Sequence, residues 1–302
     1  MSKSSHLSRT VRCILTAAMA ALFLLPVESF SWGFAGHRLI TKKAVMAVRP
    51  HLRAYLLPIA DSLSAHSIDP DLWRKFDRAE GNRHYIDLDS LVTFPFDDLP
   101  TSYPAAVKKY GEEVIQGIGI APWRIAEMVD SLSAAMKQKN ARLILRYAAA
   151  LAHYVEDIHN PLHTTKNYDG QLTGNKGIHS RYERWMVETY LDQLDSAIHP
   201  DPGSSPGRRL MPMIFNWLRG SYVWVDNLLL ADRLSKTPGK RYTRNSSYDD
   251  AYYERLFRHT RDFTVAQMSK AATAVASCWQ LAWNRAGRPK LNFLHAEIAA
   301  TR

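Results

Sequence analysis

From about residue 36 onward, apolar residues recur mostly at three- and four-residue steps and few stretches alternate with period two, so helices are predicted and sheet is not. The predicted helices cover 36–57, 104–117, 122–137, 140–158, 177–195, 208–232 and 249–286. Turn-forming residues separate them at Asp98-Leu99-Pro100, 167–177, 199–207 and 237–247. There is no internal repeat and no low-complexity run. The fold class this predicts is all-α, one multi-helix domain over 32–302 with functional side chains on facing helices. An apolar content of 46% is enough to fill its core.

Residues 1–31 break the pattern. Lys3, Arg9 and Arg12 precede an apolar run from Cys13 to Val27, and Ser29 and Ser31 place small residues where a signal peptidase inspects them. The run is short for a membrane span. A secretory signal peptide is therefore expected at 1–31, with the product periplasmic or secreted, no transmembrane anchor after cleavage, and Trp32 as the new N-terminus. Removing these residues takes away three cationic side chains and one Glu, which lowers the net charge from +10 to +8. It also removes Cys13, leaving Cys278 without a disulfide partner and best read as a small buried apolar residue.

Candidate chemistry concentrates between Leu151 and Glu183. His153 and Asp157 stand four apart, as do His179 and Glu183, and on a helix each pair leaves from one face. His163 lies between the pairs, just past Pro161. One His/Asp pair is ordinarily a surface contact or a satisfied core histidine. Two pairs flanking a third histidine, with no thiolate among them, suit a catalytic zinc site. Further candidates are Trp32, whose freed amine and carbonyl oxygen could chelate a metal, together with His37, His84 and an aspartate from Asp69-Pro70-Asp71. Taken alone, Trp32 is an anchoring aromatic, His37 a helix-surface residue, and Asp69-Pro70-Asp71 ordinary turn chemistry.

In this order, Trp32, His37, an aspartate near 70, His84, His153, Asp157, His163, His179 and Glu183 resemble the zinc-dependent phospholipase C and S1/P1 nuclease superfamily over nearly the whole mature chain. The resemblance implies three zinc ions. Asp71, His84, His153 and Asp157 would hold one; Trp32, His37 and the second oxygen of Asp157 another; His163, His179 and Glu183 the third. Asp71 is preferred over Asp69 because Asp71-Leu72-Trp73-Arg74 is similar to the family's aspartate-then-arginine pattern. His179-Ser180-Arg181-Tyr182-Glu183 looks like the phospholipase branch, while the Trp32-to-His37 step and the string from Asp157 to His163 look like the nuclease branch. Glu156 replaces a glycine common in the family and is expected to be solvated. On a continuing helix His159 would point about 200° away from Asp157 and is left out.

The implied activity is hydrolysis of a phosphodiester, with Asp71 and Asp157 as the catalytic carboxylates. Asp71 would help orient or deprotonate the attacking water, and Asp157 would bridge two ions. The positive charge favours a polyanionic partner, phospholipid or single-stranded nucleic acid, and no obligate protein partner is evident. The polar loop 164–177 joins two ligand segments, so Tyr168 and Asn175 are the candidate substrate contacts. The phospholipase C-like activity is placed first, a single-strand-preferring nuclease second, and a non-catalytic zinc-binding protein third. The segment 292–302 carries no functional signal.

Overall fold

The computed structural model describes residues 32–203, 207–243 and 247–300; the signal peptide expected at 1–31 lies outside them. Among the described residues the structure is all-α, with no strand. The helices that build the site are α1 (Gly33–Ala47), α2 (Ala60–His66), α3 (Asp69–Trp73), α4 (Ala121–Lys137), α5 (Ala141–Asp157), α6 (Leu210–Tyr222), α7 (Val225–Ser235) and α8 (Asp250–Arg285).

The long α8 packs against α1, α4 and α5, and α5 in turn packs against α2 and α4. Each of the two most central helices begins on a side-chain cap. Asn140 accepts from the Leu143 amide at 3.0 Å to open α5, and Asp249 accepts from the Tyr252 amide at 3.0 Å to open α8. From Ala148 to Asp157 every residue of α5 is buried, so this stretch has no solvent face. Its polar side chains must therefore find partners inside the protein.

Several predicted helices are broken where the backbone demands it. The stretch expected at 36–57 divides into α1 and Pro50–Leu56, because Arg49 is held extended at ψ 148° before the proline. That expected at 104–117 divides at Gly111, whose φ of 89° ends one helical run and opens the next. The span 208–232 becomes α6 and α7, parted at 223–224. The span 177–195 holds Ile178–Ser180, a widened π-helical turn over Arg181–Met186, Val187–Thr189 and Leu191–Ala197. Helices α2 and α3 fall outside the predicted spans; α3 takes the turn-like Asp69-Pro70-Asp71 string into a short helix with proline in its first turn.

Candidate metal centre

Three buried groups of side chains bring their nitrogen and oxygen atoms close enough to hold ions: His37, His153 and Asp157; Asp71, His84 and His153; and His163, His179 and Glu183. The first two share His153. Asp157 joins them directly, with Oδ1 3.5 Å from His37 Nε2 and Oδ2 2.9 Å from His84 Nδ1 and 3.3 Å from His153 Nε2. Asp71 Oδ1 lies 3.8 Å from both His84 Nδ1 and His153 Nε2. In the third group His179 Nε2 is 2.7 Å and His163 Nε2 3.7 Å from Glu183 Oε2, and the two imidazole nitrogens face each other at 3.1 Å.

The far side of His37, His84, His153 and His163 is met by a carbonyl or carboxylate of the fold, and that decides which nitrogen faces the centre. His153 Nδ1 donates to the Ser67 carbonyl at 2.7 Å, His163 Nδ1 to the His84 carbonyl at 2.8 Å, and His37 Nδ1 to Glu156 Oε2 at 2.5 Å. His84 turns Nε2 toward Glu80 at 3.5 Å, and Glu80 also accepts from the Tyr154 hydroxyl. The nitrogens left pointing inward thus carry lone pairs and meet carboxylates and one another. Acceptors that face one another in this way are reconciled by a proton or a metal cation between them. His37 Nε2, both oxygens of Asp71 and Asp157 Oδ1 have no hydrogen-bond partner although they are buried. The donor set of imidazole nitrogen and carboxylate oxygen fits zinc.

Electrostatics show the same demand for positive charge. Burial alone would lower the His37 and His84 imidazoles, yet Glu156 raises the first to about 8, and Asp157 with Glu80 raises the second to about 9. Burial would raise Asp157, but the His153 and His84 imidazoles hold it well below the usual carboxylate range. Asp71 is pushed up by burial to about 7. His179, buried without enough opposing charge, falls to about 4.

Trp32 is fully buried, its ring 5.8 Å from that of Tyr182 and its indole Nε1 donating to the Glu156 carbonyl at 2.8 Å. Helix α1 thus starts against the Glu156 carbonyl, one residue before Asp157. Gly33 makes the approach possible: its φ is 56°, and a Cβ there would lie 3.2 Å from the Glu183 carbonyl oxygen.

Two expectations are corrected. Glu156 is not solvated: it is wholly buried and accepts from His37 and from the Thr41 hydroxyl at 2.7 Å, because α5 has no exposed side at that point. Asn175, expected at the substrate, does not line the cavity over the metal centre. It is fully buried, donates to Asp232 at 2.6 Å and to the Leu229 carbonyl at 2.9 Å, and accepts from Thr173 at 2.8 Å, which satisfies both ends of its amide. Asp69 faces outward to His66 at 2.8 Å, away from the cluster that holds Asp71. His159 stays apart from the three groups, its Nδ1 bonded to the Val155 carbonyl at 2.7 Å.

A cavity of about 480 Å³ opens over His84, His163 and His179. Tyr168 lines it, its ring 5.9 Å from that of His179. Arg74, Arg78, Asn82, Tyr85 and Asp87 also line it, beside Gly81 and Leu162, and none of them is among the site residues read from the sequence. The available signal was adjacency: Asn82 and Tyr85 flank His84, and Arg74 follows Asp71 by three. Burial and the neighbouring Asp89 raise the Asp87 carboxyl to about 7.

The three buried groups gather eight imidazole and carboxylate side chains that could hold metal ions within an all-helical frame. Residues 32–191 match the model of the S1/P1 nuclease family, a span that holds all eight, and the chain belongs to that family. It is 23% identical over 193 residues to a probable serine protease of Bradyrhizobium tropiciagri, a match covering 55% of this chain and 23% of that protein. Among solved structures it is similar to an alpha toxin from Clostridium absonum, at 12% identity and a TM-score of 0.45, over 87% of this chain and 66% of that one. The chain spans about a quarter of the curated relative and just under two thirds of the toxin. No helix among the described residues is long and apolar enough to cross a membrane.

Proposed function

We propose that the chain is an exported, zinc-dependent phosphodiester hydrolase acting on single-stranded nucleic acid. The observation that carries the reading is the gathering of imidazoles with Asp71, Asp157 and Glu183 in buried groups, three of whose histidines, His84, His163 and His179, open onto a cavity also lined by arginine and tyrosine. In this reading Asp71, His84, His153 and Asp157 hold one ion. His37, Asp157 and the amine and carbonyl of Trp32, freed by cleavage after Ser31, hold a second. His163, His179 and Glu183 hold the third.

Bound zinc would supply Lewis acidity at a phosphoryl oxygen and make water acidic enough to lose a proton near neutral pH. The protein groups do the rest. Asp71, with unpartnered carboxylate oxygens, orients the attacking water and accepts its proton. Asp157 keeps His84 and His153 in register through its Oδ2. Arg74 and Arg78 line the cavity and would supply counter-charge to the non-bridging oxygens of a phosphodiester, and Tyr85 and Tyr168 would stack on adjoining bases.

Phospholipid is the second substrate reading, and it rests on Ser180-Arg181-Tyr182-Glu183. Only Glu183 of that string faces the centre. Arg181 is buried in an ion pair with Asp232 at 2.9 Å, and the Tyr182 hydroxyl meets Thr264 at 2.9 Å, so these two residues answer to packing. The match therefore favours lipid less than the cavity wall favours nucleic acid.

The test is to express the full chain with export, sequence the N-terminus of the product, count bound metals, and assay single-stranded DNA, phosphatidylcholine and bis-p-nitrophenyl phosphate with and without chelator. The expected result is a Trp32 terminus, up to three zinc equivalents and chelator-sensitive DNA cleavage. A metal-free protein active on none of the three would overturn the reading.

A further inference from the structure

The short helix α3 has two sides. Asp71 faces the metal centre, whereas Asp69 and Trp73 line a separate groove of about 560 Å³ together with His66, Arg142 and Arg146. Arg142 and Arg146 stand four apart on α5, so they share one face, and both are exposed. The Arg146 guanidinium lies over the Trp73 ring, 4.8 Å from its centroid. The carboxylate that lines this groove, Asp69, is engaged by His66, which leaves the groove with an excess of positive charge.

The cleft and the groove are joined by one tight turn. Trp73 belongs to the groove wall, and Arg74 and Arg78 belong to the cleft wall. Between them the Trp73 carbonyl accepts from the amides of Phe76 at 2.8 Å and Asp77 at 2.9 Å. The Asp77 carboxylate then accepts from the Ala79 amide at 2.9 Å and from Arg83 at 3.0 Å. This bracing leaves Phe76 on the outside of the turn, 89% exposed, the most exposed of the large apolar side chains among the described residues. A single exposed phenyl ring is common on protein surfaces. One fixed by a braced turn between two basic depressions is placed to receive something flat.

Resting on the nucleic-acid reading of the cleft, we propose that the substrate strand continues past the scissile phosphate over this turn, stacking a base on Phe76 and setting backbone phosphates against Arg142 and Arg146. The site is a specificity surface for length: it grips an extended single strand and leaves a dinucleotide untouched. Single-strand binding surfaces combine stacking faces with cationic tracks in this way. A bilayer suits the turn less well, because Phe76 is flanked in the chain by Arg74, Lys75, Asp77 and Arg78, and the Trp73 ring on the same turn is covered by Arg146.

The experiment measures cleavage of a 20-nucleotide single-stranded DNA, a thymidine dinucleotide and bis-p-nitrophenyl phosphate by the metal-loaded wild type, Phe76→Ala, Phe76→Trp and Arg142→Ala/Arg146→Ala, with thermal melts confirming that each variant folds. The expected result is a KM for the 20-mer raised about tenfold in Phe76→Ala and in the double arginine variant, and near wild type in Phe76→Trp. Both small substrates should be unchanged. The salt dependence of kcat/KM for the 20-mer should flatten by a slope of about 1.4 in the double variant, about 0.7 for each phosphate deprived of its arginine. Equal kinetics of all four proteins on the 20-mer would overturn the proposal. Turnover of bis-p-nitrophenyl phosphate alone would remove the nuclease reading, and this proposal with it. Should Phe76→Ala instead lose co-sedimentation with phosphatidylcholine/phosphatidylglycerol vesicles while cleaving the 20-mer normally, the turn docks on membranes and the strand path is wrong.

Discussion

Glu156 Oε2 accepts from His37 Nδ1 at 2.5 Å, and both side chains are fully buried. Its other oxygen accepts from Thr41, so one carboxylate ties α5 to α1 and turns His37 Nε2 toward Asp157. Metal-ligating imidazoles depend on such outer partners for orientation and basicity. Glu156→Gln should keep the volume, weaken the hold on His37, and lower the affinity for the ion beside it about 10- to 100-fold. Titration against a competing chelator would show this as the selective early loss of one equivalent; unchanged retention of all metal would refute it.

Asp157 touches both of the linked groups, so its replacement should have a double effect. In Asp157→Asn the bound metal should fall by two equivalents while the ion at His163, His179 and Glu183 stays, since no atom of Asp157 belongs to that group. Elemental analysis of the purified variant reads this directly. Loss of a single equivalent would show that Asp157 serves one ion only.

The imidazoles also set a pH dependence for the metal-stripped protein. His37 and His84 titrate at about 8 and about 9 in the folded chain, against 6.5 for an ordinary imidazole. A raised folded pKa means that the folded state holds its proton more tightly. The stabilisation is therefore complete below about pH 6.5 and is lost as pH rises through 8 and 9. The metal-free protein should melt at a lower temperature at pH 9 than at pH 7, and zinc uptake should release more protons at pH 7 than at pH 9. Calorimetry in buffers of different ionisation enthalpy counts those protons; a count independent of pH would contradict the assignment.

Asn175 should matter for stability and not for chemistry. Asn175→Ala removes the side-chain donor to the Leu229 carbonyl and one of the several donors to the buried Asp232, which should destabilise the fold by about 1–3 kcal/mol. Asp232 also pairs with the buried Arg181, so Asp232→Ala should be worse, by about 3–5 kcal/mol. Chemical denaturation gives both values. A drop in kcat for Asn175→Ala with unaltered denaturation would restore it as a substrate contact.

Much of the centre was legible because helical spacing carries it. His153 with Asp157, and His179 with Glu183, needed only the four-residue repeat to share a face, and the structure brings each pair together. The all-α class followed from the same periodicity. Where a helix would stop was less legible: Arg49 before Pro50 and the positive φ of Gly111 divide runs whose apolar spacing continues unbroken.

What the sequence determined by itself, then, was the all-α class and the two four-apart His/carboxylate pairs with His163 between them, because periodicity and residue chemistry are local; His37, Asp71 and His84 were placed only by the resemblance. Only the tertiary structure decided which polar residues near them are exposed. Glu156 sits one residue before Asp157 and would be solvated on a surface helix, but α8, α4 and α2 enclose α5, and burial obliges the carboxylate to bond His37. Asp71 and Asp69 differ by two positions on α3, and it is the docking of that helix on α5 that turns one inward to His153 and leaves the other facing His66. Asn175 lies in a polar loop, yet the approach of α7 seals it in. Such facts depend on contacts between segments far apart in the chain, and local pattern carries no record of them.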